Sequence, residues 1–280
     1  GIGFPPDWAL CQTRDITAGN QVQDKLRGPT RGLRTQDTNA ETSSATDALL
    51  AFGQDGINVG ANATSSYWNY PAIAYVYYYM RRAPGFFDEV CYTGTGVDLA
   101  VTHNLGVAPE LVILKYRAGT SYGWKVTAAG LTNPNTYYLN LNGTQEQTNY
   151  GANFIYNRTS TTFTVNSDLA QSGWNWVAYL FATCAGVSKV GSYTGTGALQ
   201  TVACGFTSGA RFVLIKRTDS TGDWYVWDSA RGITSSNDPY LLLNDTVAEV
   251  TGTNYVDTDT TGFKVTAAAP AALNASGGTY

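Results

Sequence analysis

The feature that most constrains this chain is that it repeats itself. Tyr92-Thr93-Gly94-Thr95-Gly96 recurs unchanged as Tyr193-Thr194-Gly195-Thr196-Gly197, 101 residues later. Leu111-Val112-Ile113-Leu114-Lys115 meets Phe212-Val213-Leu214-Ile215-Lys216 at the same offset. Two matches in one register mark repeated folding units. The correspondence runs on through Trp124-Lys125-Val126 with Trp224-Tyr225-Val226, Tyr138 to Asn142 with Tyr240 to Asn244, and Phe163-Thr164-Val165 with Phe263-Lys264-Val265. A third, more diverged copy opens the chain. Gly3-Phe4-Pro5-Pro6-Asp7 parallels Gly106-Val107-Ala108-Pro109-Glu110, and Asp24-Lys25-Leu26-Arg27-Gly28 parallels Asp228-Ser229-Ala230-Arg231-Gly232. The aromatic run Ala72-Ile73-Ala74-Tyr75-Val76-Tyr77 matches Trp176-Val177-Ala178-Tyr179-Leu180-Phe181 as the end of a copy.

These registers divide the chain into units at 1–82, 87–183 and 188–280. The first is expected to lack its opening strand and the third the end of its last strand. The segments between copies are short and contain Gly, Ala or Pro, which predicts a stiff string of units. The only Met is Met80, so the chain is expected to be a fragment or a processed product.

Within the second copy, apolar stretches at 97–102, 110–116, 124–128, 137–141, 154–157, 161–166 and 175–182 alternate with Gly-, Asn- and Thr-rich separators. This is close to the 8–12-residue spacing of strands in a sandwich. Few charges (14%) and many aromatics (13%) agree with strands over helices. The fold class predicted is all-β, with three tandem, jelly-roll-like sandwiches. Strands such as Tyr75-Val76-Tyr77-Tyr78-Tyr79 are apolar on both faces, so a partner sheet should cover one face and a neighbouring copy or subunit the other. The Ala-rich segment 42–50, opened by Ser/Thr, is the one predicted helix.

Several functions fall away on composition. A net charge of −4 with no basic run beyond Arg81-Arg82 leaves no electrostatic footprint for nucleic acid. No apolar run approaches the ~18 residues of a membrane-spanning helix, so no membrane insertion is expected. A single histidine, His103, excludes a multi-histidine metal site, and its His-Asn-Leu-Gly turn reads as structural. Cys11, Cys91, Cys184 and Cys204 form no C-x-x-C pair and read as mostly buried thiols, although Cys91 and Cys184 flank the second unit. Asp257-Thr258-Asp259-Thr260-Thr261-Gly262 lacks the closing Glu of a calcium loop and reads as a turn between strands. No metal or cofactor is predicted.

The Asp-x-x-Arg-Gly motif, at Asp24/Arg27/Gly28 and Asp228/Arg231/Gly232, is the most informative charged pattern. One reading makes Arg27 and Arg231 donors to a sugar hydroxyl or carboxylate, with Trp124, Trp224 or Trp227 as stacking faces. The other makes each motif an Asp–Arg bridge that pins a loop, with Gly supplying a positive φ. Paired carboxylates for glycoside cleavage would have to come from Asp219, Asp223, Asp228, Asp238 or Asp245, and sequence cannot set their separation. The chain is read as a non-enzyme.

The series Phe87-Asp88-Glu89-Val90-Cys91-Tyr92-Thr93-Gly94-Thr95-Gly96, His103-Asn104-Leu105-Gly106-Val107-Ala108-Pro109, Trp176 to Ala182, and Gly205-Phe206 with 211–224 resembles a tandem-repeat module of tailed-bacteriophage tail-fibre and virion-surface proteins. Leu49-Leu50-Ala51-Phe52-Gly53-Gln54-Asp55-Gly56-Ile57 resembles that module's Leu-x-x-Phe-x-x-Asp-Gly-Phe stretch. The resemblance implies a structural, non-catalytic protein on the virion surface, in a tail fibre or appendage that contributes to host adsorption. The expected partners are other virion proteins and a host surface glycan or receptor. A homotrimer is expected, because symmetric assembly would cover leftover aromatic faces. The rival locations are a capsid decoration or a head fibre, and the rival activity is polysaccharide degradation by a tail component.

Overall fold

A computed structural model describes residues 1–43, 48–61, 68–119, 122–234 and 236–280. The described chain is almost entirely β. The first unit holds β1 (Trp8–Thr13), β2 (Gln21–Asp24), β3 (Arg31–Arg34), β4 (Thr42–Ser43), β5 (Leu49–Phe52), β6 (Ile57–Val59) and β7 (Tyr75–Met80). The second holds β8 (Phe87–Thr93), β9 (Leu99–Thr102), β10 (Leu111–Tyr116), β11 (Lys125–Ala128), β12 (Tyr137–Asn140), β13 (Thr148–Asn149), β14 (Ile155–Tyr156), β15 (Thr162–Val165) and β16 (Asn175–Phe181). The third holds β17 (Gln200–Ala203), β18 (Phe212–Lys216), β19 (Trp224–Asp228), β20 (Leu241–Leu242), β21 (Val256–Asp259), β22 (Gly262–Val265) and the one-turn helix α1 (Ala271–Asn274).

The predicted runs of the second unit each contain a strand. The helix predicted at 42–50 is not formed in its described part: Thr42–Ser43 and Leu49–Phe52 are strands, and 44–47 lie outside the described residues. Pairing of β4 with β3 and of β5 with β6 overrides the local alanine preference there.

The same pairing recurs in each unit. The main sheet of the second runs β13-β12-β11-β10-β16-β8, and that of the first runs β4-β3-β2-β1-β7, the same order without a counterpart of β8. In the third, β18-β19-β20 repeats β10-β11-β12. A second sheet lies behind each: β5-β6, β14-β15-β9, and β17-β22-β21. Each unit is thus a two-sheet sandwich. The repeated Thr-Gly-Thr-Gly begins where the opening strand ends. A side chain at Gly94 would stand 2.2 Å from the Gln171 carbonyl oxygen, and one at Gly195 would stand 2.3 Å from that of Ala275, so only glycine fits.

Alternation along the main strands splits the apolar residues between two kinds of core. Ala9 and Cys11 of β1, Val112 and Leu114 of β10, and Val213 and Ile215 of β18 face the second sheet of their own unit. Trp8 and Leu10, Ile113, Val126, Val177 and Tyr179, and Trp224 and Val226 instead join one central cluster built by all three units. Both faces of the strands are covered, the outer one by neighbouring copies.

That shared core corrects the expectation of a string. Main-chain bonds close a cycle: Glu41 N–H donates to Arg117 O between units one and two (2.7 Å), Gln147 N–H to Thr218 O between two and three (2.9 Å), and Glu249 N–H to Arg14 O between three and one (2.8 Å). Side chains repeat the pattern. Trp124 Nε1 donates to Arg34 O (2.7 Å), Trp224 Nε1 to Asn140 O (2.9 Å), and Asn20, in the tryptophan's place in the first copy, donates Nδ2 to Leu242 O (3.0 Å). Three copies of one sandwich therefore form a pseudo-threefold ring, in which a short connection fixes the order of units and packing fixes their angle.

Candidate functional site

The two Asp-x-x-Arg-Gly loops end β2 and β19 and sit at two of the three junctions. At each, the residue after Arg adopts a left-handed backbone, Gly28 with φ 101° and Gly232 with φ 116°, which a side chain would strain. The turn lets Arg27 N–H donate to Asp24 Oδ1 (2.8 Å) while its Nε donates to Oδ2 (2.5 Å). Arg231 repeats this on Asp228 at 2.9 and 2.5 Å.

Neither pair is confined to its own unit. Tyr179, from β16 of the second unit, donates its hydroxyl to Asp24 Oδ2 (2.7 Å) and accepts from Arg27 Nη2 (3.2 Å). Tyr78, at the same place in β7 of the first unit, donates to Asp228 Oδ2 (2.9 Å) and accepts from Arg231 Nη2 (3.1 Å). A second carboxylate completes each network. Glu41 accepts from Arg27 Nη1 (3.1 Å) and takes a two-point contact from Arg117 of the second unit (3.0 and 3.1 Å). Glu249 accepts from Arg231 Nη1 (2.9 Å) and from Arg14 of the first unit (3.0 and 2.8 Å). A Tyr and an Arg from one copy thus close on an Asp, an Arg and a Glu of the next.

Burial pushes both phenols up, so they stay protonated as donors. Burial alone would also raise Asp228 and Glu249. The Arg231 guanidinium, with the Tyr78 hydroxyl, holds Asp228 below the usual carboxylate range, and hydrogen bonds from Arg14 and Arg231 do the same for Glu249. Charge-assisted bonds of this density in a dry setting fix geometry at low tolerance for loss of either partner.

The junction between units two and three is built otherwise. Ala128 and Leu131 stand where Asp and Arg stand in the other copies, and Leu131 belongs to the central core. Its buried cation is Lys216, whose Nζ donates to Thr144 O (3.3 Å) and Arg217 O (2.6 Å). Lys115 occupies the same place at the first junction and donates to Thr38 O (3.2 Å), Tyr116 O (2.8 Å) and Tyr122 O (3.0 Å). Burial lowers both lysines to about 8.

The residues singled out in sequence are therefore brought together as joints. Arg27 and Arg231 have buried side chains, and their guanidinium groups make five and four hydrogen bonds to protein groups respectively. Trp124, Trp224 and Trp227 are buried, and their indole N–H groups are occupied by Arg34 O, Asn140 O and the Asp238 carboxylate (3.0 Å) respectively. They present no stacking face to solvent. Of the carboxylates considered for hydrolysis, Asp219 pairs with Arg217 (2.8 Å) and Asp223 accepts from Asn244 (2.8 Å). Asp238 accepts from Trp227 and from the N–H groups of Tyr255 and Val256, and Asp245 accepts from Thr246 N–H (2.6 Å).

His103 is buried, accepts from Leu105 N–H at Nδ1 (3.2 Å) and is held low by desolvation. Asp259 caps the β21–β22 turn by accepting from Thr261. None of the four cysteines is in a disulfide, and among the described residues no group of His, Cys, Asp and Glu is arranged to hold a metal.

Tyr78, Tyr179, Glu41, Glu249, Arg14 and Arg117 were missed in sequence. The tyrosines sit at matching places in matched strands, and Arg14 and Arg117 both follow the first core strand of their copies. The sequence register sets Tyr75 opposite Tyr179, three residues off, whereas strand pairing puts Tyr78 on Leu10 as Tyr179 lies on Ile113, and a repeat is silent about which copy each side chain reaches. Glu89, in β8, was missed too: both its carboxylate oxygens are buried without a hydrogen-bond partner, Arg82 Nε lies 3.9 Å away, and burial together with Asp24 raises it to about 9. Nearby, Asp7, Lys25, Arg81, Arg82 and Asp88 line an open depression of about 450 Å³, in which Lys25 Nζ and Arg82 N–H both donate to Asp7.

No curated protein and no solved structure matches this chain. A family model described as a domain of unknown function, DUF7483, matches residues 1–280, and the chain belongs to that family.

Proposed function

We propose that this chain is a structural protein of a tailed-bacteriophage virion, part of a tail fibre or tail appendage that contributes to host adsorption and catalyses no reaction. The observation that supports this reading is that the buried arginines, carboxylates, tyrosines and tryptophans offered by the sequence are engaged in joining units. A body that resists shear and hydration at its joints suits a particle surface. Contacts to other virion proteins and to a host glycan or receptor then belong to outward loops such as 133–135 and 236–237, since the internal sites are filled.

Ring closure alters the shape of that role. Three units in a cycle make a knob, so the chain acts as a terminal or lateral head and not as a rod-like spacer. The same observation favours one rival location, a decoration seated on the capsid. It also weakens the driver for a homotrimer, because the aromatic faces of Trp8, Tyr78, Trp124, Tyr179 and Trp224 are covered within one chain. Cryo-electron microscopy of the intact particle tests the proposal: density for the ring on the tail, with loops 133–135 and 236–237 pointing outward, is expected. Density on the capsid shell would replace it with the decoration role.

A further inference from the structure

The depression of about 450 Å³ opens where the chain passes from the first unit to the second. Its cations are Lys25, after β2, and Arg81 and Arg82, after β7. The passage from the second unit to the third shows what the fold itself needs at such a place. Asp7 accepts the main-chain N–H of Arg82 (2.9 Å), and its counterpart Glu110 accepts that of Thr183 (2.8 Å). The turns that follow close alike, Ala83 bridging Phe87 and Cys184 bridging Ser188. Strand pairing sets Lys25, Arg81 and Arg82 in register with Ala129, Ala182 and Thr183. The same passage therefore closes with none of the three cations, and connection is not what they add.

The Arg82 guanidinium is incompletely matched. Its Nε lies 3.9 Å from both Asp7 Oδ2 and Glu89 Oε1, within ion-pair range but beyond hydrogen-bond distance, and among the described residues its side-chain N–H groups have no acceptor. Its side chain is 38% exposed and lines the depression. Behind it Glu89 is buried with both oxygens unbonded, and burial keeps it protonated at neutral pH. Three cations thus stand against two carboxylates that are already engaged: Asp7 by Lys25 Nζ (3.1 Å) and Arg82 N–H, and Asp88 by Asn104 N–H (2.6 Å). A surplus positive charge and a fork of free donors are left in the opening, in a chain whose net charge is −4. Pro5 and Pro84 supply apolar walls, and the volume is that of a small-ligand site, with room for a sugar residue.

We propose that this depression binds a phosphate group, with Arg82 as the main donor and Lys25 and Arg81 at its rim. The guanidinium fork gives two parallel bonds to a tetrahedral oxyanion, and the ammonium adds a point charge. Because Glu89 is neutral, it does not neutralise Arg82, and the anion takes that part. Phosphate binding stands on this geometry alone. Only its source as a group on a host surface polymer rests on the proposed virion role.

The test titrates the full chain with glucose-6-phosphate, inorganic phosphate and glucose by calorimetry at neutral pH and low salt. Saturable binding of glucose-6-phosphate, tighter than that of inorganic phosphate and absent for glucose, is expected. Equal affinity for the two phosphates would support the site and assign it to the free ion. Arg82→Ala should weaken binding about tenfold and Lys25→Ala about threefold, with the unfolding midpoint kept. Arg211→Ala, at an exposed arginine of the third unit, should leave binding unchanged. Glu89 gives a second reading. It faces Arg82 and Asp7 on one side and Asp24, Arg27 and Tyr179 on the other, and once ionised, near pH 9, it competes for Arg82. The parent should therefore lose affinity from about pH 8 to 9.5, and Glu89→Gln should lose less. Failure of both phosphates to bind saturably, or the same affinity in Arg82→Ala as in Arg211→Ala, would overturn the proposal. A location of the chain away from the virion surface would overturn the proposed role and leave the phosphate site standing.

Discussion

The junction between units one and two and the junction between units two and three hold equivalent surfaces together by opposite chemistries. The first buries Asp24, Arg27, Glu41, Arg117 and Tyr179 in one hydrogen-bonded network, and the second puts Ala128 and Leu131 in the corresponding place. Since both joints close in one molecule, a joint does not need the Asp–Arg network to form. What the network adds is intolerance of the wrong partner: an Asp–Arg pair without its incoming Tyr, or a Tyr without its carboxylate, leaves desolvated polar atoms that an apolar surface would not. The charged joints therefore specify which copy meets which, and the apolar joint relies on shape.

Breaking one partner gives the largest effect. Asp24→Ala leaves the Arg27 guanidinium buried against Glu41 alone and should cost about 3–5 kcal/mol in urea unfolding. Converting the whole joint to the chemistry of its counterpart, with Asp24→Ala, Arg27→Leu and Tyr179→Phe together, should recover most of that loss and end within about 2 kcal/mol of the parent. A triple variant as unstable as the single one would show that the joints are not interchangeable. Removing only the hydroxyl, as Tyr179→Phe or Tyr78→Phe, should cost about 1–3 kcal/mol, with the fully buried Tyr179 at the upper end.

Acid separates the joints next. Asp228 and Glu249 are depressed in the folded chain, so their contribution is present above the ordinary carboxylate range, about pH 4, and is lost as pH falls through their lowered values. A chain with Asp228→Asn and Glu249→Gln should be less stable at pH 7 and should lose less on acidification, measured as melting midpoints from pH 7 to 2.5. Glu89 has the reverse sign. Its folded value is raised to about 9, so it favours folding least above the ordinary range, and the penalty grows from about pH 4.5 to 9. Glu89→Gln should be neutral near pH 4 and stabilising at pH 8. The smallest change is expected at the exposed rim of the apolar joint, where Arg217→Ala breaks the ion pair with Asp219 and should shift stability by less than about 1 kcal/mol.

The sandwich was legible in sequence because strand alternation is local: each run from Val97 to Phe181 that carried the period of two became a strand. β8 was not among the predicted runs, since Asp88 and Glu89 interrupt its apolar face, and both turn out to be buried. The Asp-x-x-Arg-Gly motif was legible as a bridge through its i, i+3 spacing and glycine. Its closure by Tyr78 and Tyr179 was not, because repeats reveal equivalence of residues but not the angle between copies. Trp124 and Trp224 illustrate the same limit: aromatic residues near strand ends read alike whether they face solvent or a neighbouring copy, and here the neighbour's carbonyls take their N–H groups.

The central claim is that the first and third units meet, and the contact between Tyr78 and Asp228, 150 residues apart, tests it. A double-mutant cycle of Tyr78→Phe and Asp228→Asn, read by equilibrium unfolding, measures their coupling directly. A closed ring predicts a coupling of about 1 kcal/mol or more. Additive effects, within about 0.3 kcal/mol, would mean that the units form an open string and that the ring does not exist in solution.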